Sequence, residues 1–81
     1  MVTISRKSIL RQITSKLGAI ICTEGIVKLD QNRRIAWLAI EIPPQNSSEG
    51  VISESFHGSP CMSDYDAEEN VSEVAITYFM T

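Results

Sequence analysis

The clearest alternation in the chain runs Ala36, Leu38, Ile40, Ile42, with Ile35, Trp37, Ala39 and Glu41 between them. Apolar residues two apart are the period of a strand with one covered face. Pro43-Pro44 ends it, because neither residue can donate to a ladder. Upstream, Leu10, Ile13 and Leu17 recur at helical spacing with Ile9 beside them, and Gly18 stands where a left-handed residue would close the helix. This predicts a first helix over 4–17. The Ile- and Val-rich stretch over 19–29 predicts a strand, with Gly25 as a bulge or bend. Asp30-Gln31-Asn32-Arg33 has the Asx chemistry of a tight turn. Residues 45–50 read as a polar turn and 51–57 as a third strand, with Ile52 and Phe56 in phase. Ser63 followed by Asp66 is a capping-box pattern, and Ala67, Val71, Val74, Ala75 and Tyr78 then mark the apolar stripe of a second helix. The order is α-β-β-β-α. It predicts an α+β fold, a three-stranded antiparallel sheet with both helices on one face.

Length confines this pattern to a single domain over residues 1–81 with a thin core. An apolar fraction of 43% against 21% charge is that of a folding chain, not a disordered one. No stretch approaches the apolar run of a membrane span or a secretory leader, so a cytoplasmic or nuclear address is expected. Cys22 and Cys61, in such a compartment, read as reduced thiols. The apolar last helix runs uncapped to Thr81, which raises the expectation of a longer parent chain.

Charge changes the picture more than composition does. All seven bases lie at or before Arg34, opposed there only by Glu24 and Asp30, while the other eight acids follow from Glu41 onward. Such asymmetry between halves bears on partners. Asp64, Asp66, Glu68 and Glu69 crowd the start of the second helix, where the macrodipole favours negative charge.

The order of elements, Trp37-Leu38-Ala39-Ile40-Glu41-Ile42, and Ser63-Asp64-Tyr65-Asp66-Ala67-Glu68-Glu69-Asn70 running into the second helix together resemble a double-stranded-RNA-binding domain, over about Ile4 to Met80. Ala67 and Ala75 fall where that family has small residues at the helix–sheet contact. The family opens its second helix with Lys-Lys-x-Ala-Lys, whose amines grip phosphates; aligned on Ala67, those lysine places hold Asp64, Tyr65 and Glu68. Its first hairpin carries Gly-Pro-x-His, where this chain reads Asp30-Gln31-Asn32-Arg33, and Ser59 and Cys61 stand at the glycine places before the second helix. Since such affinity rests on neutralised phosphates, the expectation is a domain that has lost duplex RNA. The resemblance implies a setting in RNA silencing or processing. The implied partner is a protein: a second copy, a related domain, or a Dicer-type nuclease or its cofactor protein.

If Leu38 and Ile40 face the helices, Ile35, Trp37 and Ala39 lie on the opposite face, and with Ile26 they form the expected protein interface. Arg6, Lys7, Arg11, Arg33, Arg34, Asp64 and Glu68 are the candidates for electrostatic contact, with a protein or, through the first helix and Arg33-Arg34, with a nucleic acid. An unrelated small α+β regulatory protein is the remaining alternative. No cofactor, metal or catalytic centre is expected. His57 is the only histidine, no Cys-x-x-Cys spacing exists, and Asp64 and Asp66 point apart on a helix.

Overall fold

In a computed structural model, which describes residues 4–44 and 50–80, the chain folds as α1 (Arg6–Leu17), β1 (Ile20–Lys28), β2 (Arg34–Ile42), β3 (Ile52–His57) and α2 (Asp64–Met80). Of the expected polar turn over 45–50, residues 45–49 lie outside the described residues. The three strands form one antiparallel sheet in the order β1-β2-β3. Both helices pack on the same side of it, so Leu10 of α1 and Ala67, Val71 and Ala75 of α2 share a core with Ala36, Leu38, Ile40 and Phe56.

Local chemistry sets the ends of the elements. Ser5 is the N-cap of α1, its Oγ accepting from the Ser8 amide at 3.2 Å. Gly18 closes α1 at φ 72°, a conformation that costs other residues, and the Ala19 amide then reaches the Thr14 carbonyl at 2.8 Å. The Asp30 turn forms as expected. Its carboxylate accepts from the Asn32 amide and the Arg33 Nε, each at 2.9 Å, and these two bonds hold its pKa below the ordinary carboxylate value, the Asn32 amide first. Ser63 begins α2, its Oγ accepting from the Asp66 amide at 3.1 Å.

The helix stripes turn out narrower than their periodicity. In α1 the buried residues are Leu10 and Thr14, while Ile9 and Leu17 stay exposed. In α2 the buried set is Ala67, Val71, Ser72 and Ala75, with Ile76 and Phe79 packed against the core; Val74 and Tyr78 are exposed. Tyr78 still meets Phe56 edge-on, ring centres 5.2 Å apart. With a sheet of only three strands, each helix has room to bury one narrow row.

Two expectations about β1 are corrected. The irregularity falls between Ile21 and Thr23, where Cys22 is the extra residue, and Gly25 sits in regular pairing. Ile26 is paired with buried Ala36 and therefore lies on the helix-facing side, not with Trp37. The register counted back from the Asp30 turn decides this, and it gives the open-face position to Val27, opposite Ile35.

Candidate functional site

The side of the sheet away from the helices is built from alternate residues of all three strands. Register places Thr23, Gly25 and Val27 of β1 on it, Ile35, Trp37, Ala39 and Glu41 of β2, and Ser53, Ser55 and His57 of β3. Trp37 stands at the middle, directly across from Gly25 on one side and His57 on the other. Its indole leans toward β1. A Cβ built on Gly25 would lie 2.8 Å from the Trp37 Cζ2, so the ring occupies the space that any other side chain at position 25 would need. The indole thus covers a bare stretch of backbone, yet Trp37 remains 38% exposed. Val27 is 51% exposed, and Ile35 and Ala39 are half-buried. An antiparallel sheet that meets water normally presents polar side chains there. Here the middle of β2 is apolar, His57 flanks Trp37 on β3, and the polar residues Thr23, Glu41, Ser53 and Ser55, with exposed Ile20 opposite Glu41, stand to one side.

The charged candidates are arranged differently. Arg34 Nη1 meets Asp64 Oδ1 at 2.7 Å, Arg6 Nε meets Glu73 Oε2 at 3.4 Å, and Lys7 Nζ lies 3.3 Å from Glu24 Oε1 and 3.8 Å from Glu68 Oε1. Arg33 is held by Asp30 within the turn. Of the candidate bases only Arg11 has no ion pair among the described residues. The basic first half and acidic second half therefore meet across the fold, α1 and β2 against α2. The backbone joins in at both places. Arg34 and Cys61 exchange amide–carbonyl bonds of 2.8 Å, which fixes the entry to α2, and the Glu69 carboxylate accepts from the Arg6 and Lys7 amides at 3.0 and 3.2 Å. Glu69 is a structural contact that sequence reading missed; its place among four acids gave no sign that one of them caps the other helix.

Between α1, α2 and the sheet lies a cavity of about 290 Å³, lined by Leu10, Ile26, Ala36, Leu38 and Val71 and bordered by the Lys7, Glu24 and Glu68 charges. Ile26 is 36% exposed although it faces the helices, so neither helix covers the sheet margin at β1. Cys22 and Cys61 are free thiols on opposite flanks of β2. Among the described residues no group of His, Cys, Asp and Glu is placed to hold a metal ion, and no helix is long and apolar enough to cross a membrane.

The chain finds no match among protein-family models, curated proteins or solved structures.

Proposed function

We propose that this chain is a non-catalytic protein-interaction domain, akin to a double-stranded-RNA-binding domain that has lost its hold on RNA, and that it docks protein through the open face of the sheet. The observation that carries the reading is Trp37, its indole close against Gly25 and still 38% exposed at the centre of the face away from the helices. A large, partly exposed aromatic ring at the centre of a face is the kind of residue that anchors interfaces. The α-β-β-β-α order supports the likeness to the RNA-binding family, and on that likeness the domain works in RNA silencing or processing, beside a related domain or a Dicer-type partner. Of the candidate bases that could have held phosphate, Arg6, Lys7, Arg33 and Arg34 are engaged with acids of the same chain and, among the described residues, Arg11 alone is not, which favours protein over nucleic acid as the ligand.

The test is Trp37→Glu. The variant keeps the far-ultraviolet circular dichroism and thermal transition of the wild type, and it weakens self-association or binding to a related domain by roughly thirtyfold or more, the scale of a lost central aromatic anchor. A variant that unfolds, or one that binds as before, removes the open face from consideration.

A further inference from the structure

The free margin of β1 carries an arrangement that the docking reading does not by itself require. In an antiparallel pair, residues alternate between those that exchange hydrogen bonds with the neighbouring strand and those that turn their amides and carbonyls away. The Leu29 amide donates to the Arg33 carbonyl at 2.9 Å, so positions 29 and 33 form a bonded pair. Counting back along the register, Val27 with Ile35 and Gly25 with Trp37 are bonded pairs too, and Glu24, Ile26 and Lys28 point their backbone groups outward. The far side of β2 obeys the same parity, since Arg34 and Ala36 bond there to Cys61 and Gly58. Among the described residues nothing in the sheet lies beyond β1.

We propose that a second copy of this chain adds to that margin, β1 against β1, antiparallel about a two-fold axis at Ile26; the proposal rests on the docking reading and names its partner. About that axis the outward residues meet one another. The Ile26 amides and carbonyls bond across the axis, and Glu24 and Lys28 of each copy face Lys28 and Glu24 of the other. Opposite charges directly across a strand pair favour it and like charges oppose it. Moving the axis to Glu24 or to Lys28 sets like charges face to face, so the charges select one register. Lys28 is available for this role, having no ion pair among the described residues, and Glu24, 3.3 Å from Lys7 Nζ in its own copy, is shared between Lys7 and the facing Lys28.

The side chains fit the same register. Val27 comes opposite Gly25 of the second copy, the bare site over which that copy's Trp37 lies, and the exposed valine meets the exposed indole. On the other face the two Ile26 side chains meet at the margin that the helices leave open. The bulge at Cys22 ends regular pairing on one side and the Asp30 turn on the other, so the contact is short. An isologous contact of this kind closes as a dimer and does not propagate.

Sedimentation equilibrium on the whole chain tests the idea. The wild type shows about a twofold rise in apparent mass with concentration in the micromolar range, as a small interface gives, and Trp37 emission moves to shorter wavelength as it does so. Glu24→Lys and Lys28→Glu each weaken the dimer by roughly tenfold or more. An equimolar mixture of these two variants recovers wild-type association, because every facing pair is again of opposite sign; a variant that had merely lost its fold could not be rescued so. A wild type that stays monomeric to millimolar concentration overturns the proposal. Self-association that Trp37→Glu abolishes while both charge reversals leave it intact also overturns it, and leaves the open face as a docking surface. Indifference to all three substitutions sinks both readings.

Discussion

At Gly25 the absence of a side chain is what allows Trp37 to lie across the neighbouring strand. A methyl group there would press on an indole whose near atoms stand 2.8 to 3.0 Å from the Cβ position, and a ring with only two rotatable bonds can yield only by leaving its place. Gly25→Ala is expected to destabilise the fold by about 1 kcal/mol, the overpacking cost offset in part by alanine's lower chain entropy. Chemical denaturation measures the first effect. The second is a red shift of Trp37 emission, unambiguous because the chain has one tryptophan. An unchanged spectrum would mean that the indole does not rest on Gly25. Position 25 was legible as unusual in the sequence, a glycine in a β-branched run, but its meaning required the register that brings Trp37 opposite.

At the scale of elements, α1 is anchored to α2 by its backbone as much as by side chains. A helix begins with amides that have no partner inside it. Ser5 satisfies the Ser8 amide, and the Glu69 carboxylate of α2 takes those of Arg6 and Lys7. The acidic first turns of α2 thus serve two ends: Asp64 and Asp66 complement its own dipole, worth about 0.3–1 kcal/mol each, and Glu69 caps its neighbour. Glu69→Ala should cost about 1 kcal/mol, the usual loss on removing a cap. It should speed amide exchange at the start of α1 while leaving the sheet protected. The loss should persist in high salt, unlike that of an exposed ion pair such as Arg6 with Glu73, which salt screens. Equal exchange throughout the chain would show that Glu69 holds no helix end.

Across the whole molecule, the division of charge along the sequence becomes a set of internal contacts. Bases of α1 and β2 lie against acids of α2, and where the proposed likeness to an RNA-binding domain would call for phosphate-gripping lysines, α2 carries Asp64, Tyr65 and Glu68. Duplex RNA should therefore give no mobility shift at low-micromolar protein and physiological salt, and a shift that weakens with added salt would contradict this. Asp64→Lys with Tyr65→Lys and Glu68→Lys should add salt-sensitive RNA affinity, provided circular dichroism shows that the fold survives the loss of the Arg34 and Lys7 pairs. A folded triple variant with no gain would argue against the family likeness.

What the sequence determined by itself is the order of elements and their ends. The alternation of Ala36, Leu38 and Ile40, the Asx turn at Asp30, the glycine after Leu17 and the serine before α2 act over a few residues, so their effect can be read one stretch at a time. Only the tertiary structure decided which of Ile26 and Val27 faces the helices. Two adjacent apolar residues satisfy either parity, and the choice belongs to the register imposed by β2. The same holds for Cys22 as the bulged residue, for Val74 and Tyr78 left outside the helix stripe, and for Glu69 as a cap on α1. Each depends on an element distant in sequence arriving alongside, and local periodicity carries no record of that arrival.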